Sequence, residues 1–417
     1  MIKNSLRVGF FLGARQIYRA SIWTNILIIA VMVLTFLNLV FVSGILLGLV
    51  EGSSQGIKAS YSGEMIIKPL ENKNYIQQTP RITKYLDSLP EVENYTVRYL
   101  SGGKVEANYR SKSNPYDKSD SLSTTIAGID PKQESNATQL DDNLVAGEFL
   151  DRSDVNSVLI GSRLLAEYSR VQEPGLTLLD NVNVGDKVRI NIDDFSKEYK
   201  VKGIVKSKVE LVSNRIFMID SELRKILNRS DYGANEIAIN LYPDASAVEV
   251  TDHLEESAFG NLAKYQTWEE SQGSFFKDIQ LTFGILGNVI GSIGLAVATI
   301  TIFIVIYINA ITRRKFIGIL KGIGVYPEAI EISYVFQSLF YSVSGTAIGS
   351  FILFKFLVPF FDRNPIDFPF SNGILAVSFE STLIRILVLI CATFLAGYFP
   401  AKLITKQNTL DTILDRN

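Results

Sequence analysis

Few side chains in this sequence are equipped for covalent or metal chemistry. Its 417 residues include one histidine, His253, and one cysteine, Cys391. A single imidazole and a single thiol exclude multi-histidine and thiolate metal clusters and an intrachain disulfide. They also leave little room for a Ser-His or Cys-His relay. The remaining candidates are carboxylates. Asp141, Asp142, Asp193 and Asp194 form two acidic doublets whose natural chemistry would be calcium coordination, but EF-type spacing is missing and they read as solvated loop residues. No paired-carboxylate or nucleophile-elbow pattern occurs between residues 51 and 278, and no G-x-x-x-x-G-K-S/T occurs anywhere. The chain therefore has no P-loop with which to cradle nucleotide phosphates. It is expected to be a non-catalytic component with no cofactor and no metal.

The elements that would carry such a role are set by where charge is absent. Hydrophobic content of 47% and charged content of 20% would suit a water-soluble protein, yet the two are segregated along the chain. Residues 22–50 and 279–312 contain no Asp, Glu, Lys, Arg or His, whereas 51–278 are dense in charge. A bilayer core about 30 Å thick needs roughly 20 apolar residues in a helix. Residues 22–50 qualify, and their length and the lack of an A-x-A site distinguish them from a secretory signal. Further spans are expected within 279–312 and 332–354. A fourth, over about 383–403, requires Arg385 to snorkel to an interface. The expected fold class is an α-helical membrane protein with four transmembrane helices plus an α/β (α+β) extracytoplasmic domain inserted between helices 1 and 2, divided at 1–50, 51–278 and 279–417.

Lysines and arginines in short flanks orient such spans, because they are retained on the cytoplasmic side. Lys3, Arg7, Arg15 and Arg19 precede the first span, Arg313, Arg314, Lys315 and Lys321 separate the second from the third, and Lys402, Lys406 and Arg416 follow the fourth. Both termini are expected in the cytoplasm and residues 51–278 outside. In the second span Gly284, Gly287, Gly291 and Gly294 share one helical face, and Gly345 and Gly349 repeat the spacing in the third. These are expected helix-packing faces, since close backbone approach rather than apolar burial drives association in lipid. No charge in mid-span suggests an ion path or proton relay. A net charge of -2 with no basic patch beyond the flanks excludes nucleic acid as a partner.

The outer stretch reads as mixed α/β. Strands are expected at 64–67, 158–160, 187–192, 199–205, 215–219 and 236–240, and helices at 80–89, 162–169, 220–227 and 245–256. Residues 111–123 are polar and turn-rich, and an exposed loop is expected there.

Residues 312–330, TRRKFIGILKGIGVYPEAI, resemble the pattern R-x-x-E-I-G-I-L-K/R-A-I/L-G-A-x-x-x-x-I that follows the second span in ABC transporter permeases of the MacB/LolC-LolE/FtsX-like family. Arg313, Ile317, Gly318, Ile319, Leu320, Lys321, Ile323, Gly324 and Ile330 match, while Phe316 replaces the usual acid and Gly322 and Val325 replace alanines. Residues 396–402, AGYFPAK, are similar to the ending of that family's fourth span. Residues 144–149, 158–161, 184–188 and 201–205 are similar to strand and turn signatures of its MacB-like periplasmic core domain. The resemblance implies a permease subunit of the bacterial cell (inner) membrane that borrows a separate ABC ATPase subunit and pairs with a second permease copy or paralogue. It implies mechanotransmission acting on an extracytoplasmic lipoprotein, peptide or amphiphile. It also implies a coupling helix near 327–333 that meets the ATPase through Pro327 and the exposed side chains Glu328, Ile330 and Glu331. Ile317, Leu320 and Gly324 fall at helical spacing and are expected to carry a helix past the membrane surface before Pro327 starts a new, short one. Competing expectations are an FtsX-like regulator of extracytoplasmic cell-wall hydrolases and a membrane-anchored sensor without an ATPase.

Overall fold

The computed structural model describes residues 2–109, 120–168, 177–368 and 371–406. The chain divides into two compact units, one of Met1–Glu51, Asp278–Asp367 and Gly373–Asn417, the other of Gly52–Lys277 and Phe368–Asn372.

The first unit is helical, with α1 (Ile2–Arg19), α2 (Ile22–Ile57), α3 (Gly273–Thr312), α4 (Arg314–Gly322), α5 (Pro327–Ile352) and α6 (Phe379–Thr405) as its main helices. Among the described residues, four stretches are long and apolar enough to cross a membrane: Ile22–Ser62, Phe276–Thr312, Pro327–Arg363 and Phe379–Thr405. The 36 residues of α2 rise on the order of 54 Å, well beyond a hydrocarbon core of about 30 Å. The fourth span begins a turn earlier than expected, because the Ser378 side chain accepts the Ser381 N–H and caps the helix before Arg385. Met32, Phe36, Ala298, Ile302, Ile306, Tyr334, Tyr341 and Leu389 belong to the buried core of this unit. Gly397 lies so near α5 that a Cβ there would overlap the Ser338 hydroxyl, and Ala396, Pro400 and Ala401 are buried beside it. The AGYFPA run is thus the face on which α6 meets α5. Sequence marks residues 3–19 only as a basic flank. In the structure they lie in α1, whose Gly9 and Gly13 face Ala329, Ser333 and Phe336 of α5, with the Phe10 and Phe336 rings 4.5 Å apart.

The second unit is built on a ten-stranded sheet of β1 (Met65–Lys68), β2 (Val92–Ala107), β3 (Asp120–Ile129), β4 (Leu144–Gly147), β5 (Ser157–Gly161), β6 (Lys187–Ile192), β7 (Phe195–Val205), β8 (Arg215–Ile219), β9 (Glu236–Leu241) and β10 (Lys264–Thr267). The order is β10-β1-β9-β2-β3-β8-β5-β7-β4, with β6 paired to β2 and β7. Successive residues alternate between two apolar clusters. Ile67, Ile126 and Met218 fall in one and Ile66, Ala127 and Phe217 in the other, the period-2 pattern of a sheet buried on both faces.

Three features differ from the sequence expectations. Residues 162–168 form only the 3-10 turns Ser162–Leu164 and Ala166–Tyr168, because the Ala166 N–H and Leu164 carbonyl bond to Leu179 instead of closing an α-helix; residue 169 lies outside the described residues. Asp120 to Ser123 belong to β3, paired to residues 104–107 of β2, while the rest of the expected loop lies outside the described residues. Strands β2, β3 and β10 carry no clear strand pattern in the sequence, because Gly102 and Gly103 interrupt β2 and because β3 and β10 are rich in Ser, Thr, Gln and Lys.

Candidate functional site

The second unit contains a buried ionic joint. Arg98 on β2 stands directly opposite Glu236 on β9. Arg98 Nη2 donates to Glu134 Oε1 at 2.6 Å, Arg98 Nε to both Glu134 oxygens at 3.0 Å, and Arg98 Nη1 to Glu236 Oε2 at 3.4 Å. Arg215, at the start of β8, forks onto Glu236 at 2.9 and 3.0 Å. Thr96 and Thr138 donate to Glu134, both at 2.8 Å. Arg98 is 2% exposed, Glu134 1%, Arg215 and Glu236 6% each. Burial alone would raise the Glu236 carboxyl, but the Arg215 charge, the Arg215 hydrogen bonds and Arg98 outweigh it and hold the carboxyl down at about 2. Burial would likewise lower Arg98, and Glu134 outweighs it, so that guanidinium is raised. Two cations and two anions thus balance in a buried site.

Tyr61 completes the joint. It sits on the π-helical turn Lys58–Ser62 that directly extends the first apolar helix. Its hydroxyl donates to Glu236 Oε1 at 2.8 Å, its carbonyl accepts from Arg98 Nη1 at 2.8 Å, and the Arg98 and Arg215 guanidinium carbons each lie 5.3 Å from its ring centroid. The turn Lys58–Ser62 is thereby tied to the central strands. The last strand is tied in beside it. β1 and β10 pair antiparallel through Met65↔Thr267 and Ile67↔Tyr265, Thr267 and Glu270 form a capping box, and Lys58 Nζ lies 4.9 Å from the Trp268 ring centroid.

In the first unit, the connection between α3 and α5 is an elbow. Helix α3 stops at Thr312, α4 is a separate amphipathic helix, and Gly324 takes φ +93°, a left-handed turn suited to glycine. Ile317 is buried, and Lys321 Nζ donates to the Thr405 carbonyl at 3.0 Å, tying α4 to the end of α6. Phe316, Ile319 and Ile323 lie three and four residues apart and are 51%, 52% and 73% exposed, with Tyr326 next to them at 51%.

Comparison with known proteins places both units. Residues 28–257 match the MacB-like periplasmic core domain, and residues 288–409 match the FtsX-like permease C-terminal family. The chain belongs to the FtsX-like, MacB-core family of ABC transporter permeases. Among relatives, this permease is 22% identical to the lipoprotein-releasing system transmembrane protein LolC of Neisseria meningitidis, over 76% of each chain. It is 23% identical to the ABC transporter permease YtrF of Bacillus subtilis, over 52% of each. The solved periplasmic region of MacB from Actinobacillus actinomycetemcomitans is 14% identical, with a TM-score of 0.37 over 52% of this chain and 95% of that one. Membership implies a partner ATPase and dimerisation.

The permease's sequence-predicted residues fall as follows. Pro327 opens the long helix α5 rather than a short separate one, since proline at the first turn gives up only an N–H that has no helical partner. Ile330 is 1% exposed and packed in the core of the helical unit, so it is not an exposed docking side chain. Pro327 is half-buried and Glu328 exposed, and Glu331 accepts the Thr405 hydroxyl at 2.7 Å. The exposed apolar residues of this connection lie earlier, Phe316 and Ile319 on α4 and Ile323 just past its end. The glycines of α3 divide. A Cβ on Gly287 would touch Ser43 at 3.5 Å, on Gly291 would come within 3.1 Å of Leu39, and on Gly294 within 2.8 Å of Asn38, while one on Gly284 would meet nothing within 4 Å. The Ser43 hydroxyl donates to the Gly287 carbonyl at 3.3 Å. On α5, a Cβ on Gly345 would overlap Met32 and one on Gly349 would crowd Phe36. Except for Gly284, these positions face α2 of the same chain. Asp141 and Asp142 lie in the 3-10 turn Leu140–Asn143, Asp193 and Asp194 in the β6–β7 turn, and no metal-holding group of three or more His, Cys, Asp or Glu occurs among the described residues. The His253 ring nitrogen Nε2 shares a 2.9 Å hydrogen bond with the Tyr85 hydroxyl, and Cys391 is an exposed thiol on α6.

Proposed function

We propose that this permease converts the ATPase cycle of a separate subunit into movement of its MacB-like unit, with both termini in the cytoplasm and the strand-rich unit outside. The observation that carries the reading is the exposed apolar face of Phe316, Ile319 and Ile323 at the basic elbow of a chain without a P-loop. A docking helix gains from apolar anchors that enter a groove and loses heavily when a charge is buried there. The ATPase contacts this face and Glu328, and the movement passes through α3 and α5. The buried joint around Tyr61 receives it at the far end of the first apolar helix. The substrate is an extracytoplasmic lipoprotein, peptide or amphiphile, of which the similarity to the lipoprotein-releasing LolC supports the first. Two permease copies or paralogues flank it, with the α3 and α5 glycines permitting the close approach of helices within each copy.

Co-purification and nanodisc ATPase assays test this reading. Ile319→Glu and Ile323→Glu are expected to abolish binding of the ATPase and its stimulation, while the unit formed by residues 52–277 keeps its fold. Full stimulation in both variants would remove α4 as the docking element.

A further inference from the structure

The helical unit holds a polar cavity of about 110 Å³ at its basic end, where α1 breaks before α2 and where α3 passes into α4. Its lining holds one cation and no anion, and the Gln337 Oε1 acceptor in it is buried without a partner among the described residues. Arg313 lines it from the non-helical residue between α3 and α4, with φ -104° and ψ 15°, which takes its side chain off the track of either helix. Among the described residues the Arg313 guanidinium has neither a hydrogen bond nor an ion pair, its carbonyl accepting the Ile317 N–H, and no carboxylate lines the cavity. Tyr334 lines it from α5, is 1% exposed, and its hydroxyl has no partner among the described residues. Its neighbour Tyr341 is not available in the same way, since that hydroxyl donates to Asn25 Oδ1 at 2.6 Å and accepts from Gln337 Nε2 at 3.3 Å. The α1–α2 break adds Gln16, Ser21 and Thr24, all able to donate.

A buried hydroxyl without a partner is rare in folded proteins and marks a place where something else bonds. Water would satisfy the Tyr334 hydroxyl, but it would leave the half-buried guanidinium without a counter-charge. A cation among neutral polar groups, with no acid beside it, suits an oxyanion, and the forked guanidinium suits phosphate in particular. We infer that this cavity binds a phosphate anion, with Arg313 and the Tyr334 hydroxyl as its main donors. The chemistry is shared by an anionic phospholipid head group and by free phosphate. The bound anion would clip the α1–α2 break to α3 and α5, next to the elbow that carries α4.

The full chain, delipidated in detergent, is titrated with phosphatidylglycerol and separately with inorganic phosphate, and binding is read by native mass spectrometry. One tightly held anion per chain is expected. Retention of phosphatidylglycerol in excess inorganic phosphate identifies the lipid as the source, and displacement by inorganic phosphate identifies the free anion; either supports the site. Arg313→Gln is expected to weaken binding roughly ten- to hundredfold, the loss that corresponds to about 1.5–3 kcal/mol for a hydrogen bond to a charged group. Tyr334→Phe keeps the ring and is expected to weaken binding about tenfold without lowering the thermal midpoint, an affinity change that a merely structural hydroxyl would not produce. No binding of either probe, or equal binding by wild type and both variants, would overturn the proposal.

Discussion

The two units solve the problem of fixing backbones together with opposite chemistry. In the strand-rich unit, Arg98, Arg215, Glu134 and Glu236 are taken out of water and every charge is answered by another within 3.4 Å. In the helical unit, Gly345, Gly349 and Gly397 bring backbones together by having nothing to interpose. The difference follows from the solvent. Apolar burial holds the sheet regardless, so a buried ionic group there fixes direction and register at a few points, although on its own it is weak evidence of stability. In lipid, apolar burial does not favour one helix contact over another, and small residues define which faces meet. The ionic joint is specific and brittle, and the glycine faces are graded.

The comparison can be broken first at the joint. Glu236→Gln leaves Arg215 and part of Arg98 uncompensated in a buried site, and the expected cost is about 3–5 kcal/mol in the strand-rich unit. Hydrogen exchange on β2 and β9 amides of the full chain should show it, with the helices of the other unit unchanged. A loss below about 1 kcal/mol would show that water reaches the joint. In the helical unit, Gly345→Leu must displace Met32 and is expected to cost about 1–3 kcal/mol, whereas Gly284→Leu should stay within about 0.5 kcal/mol. Denaturant unfolding in detergent separates the two, and equal effects would mean that the α3 and α5 faces are not graded by contact with α2. The response to acid is smaller than the loss of the joint itself. The Glu236 carboxyl is held below its ordinary value of 4.5, at about 2. Its contribution is therefore complete above the ordinary value and is lost as pH falls through the folded one. Moving from neutral to about pH 4 should remove on the order of 1 kcal/mol from the strand-rich unit. Glu236→Gln should abolish that part of the pH dependence, as followed by hydrogen exchange.

Much of the helical unit was legible because charge is absent over whole runs, a signal that needs no long-range information. The ends were less so. Helix α1 mixes Arg7, Arg15 and Arg19 with Leu6, Phe10 and Phe11, and in sequence this resembles a basic flank. Ile330 looked exposed because it follows a proline beside a basic run, yet Pro327 opens α5 and the first turn of that helix already packs against α1 and the core. The ionic joint was invisible for a different reason. Its members lie up to 175 positions apart, and Arg215 and Glu236 each open a short apolar run, where a charge reads as the edge of a strand. The one available trace was Arg98, a charge between Val97 and Tyr99 in the middle of a β-prone segment.

The central claim is that movement generated at the α4 elbow reaches the strand-rich unit. Pulsed electron–electron resonance in the reconstituted complex tests it directly, with labels at the exposed positions Val248 and Leu395 on a Cys391→Ser background. The account predicts a distance distribution that shifts between the nucleotide-free and ATP-trapped states, and a shift that disappears in Tyr61→Ala while ATP hydrolysis continues. Identical distributions in the two states of the wild type, with full ATP turnover, would contradict it.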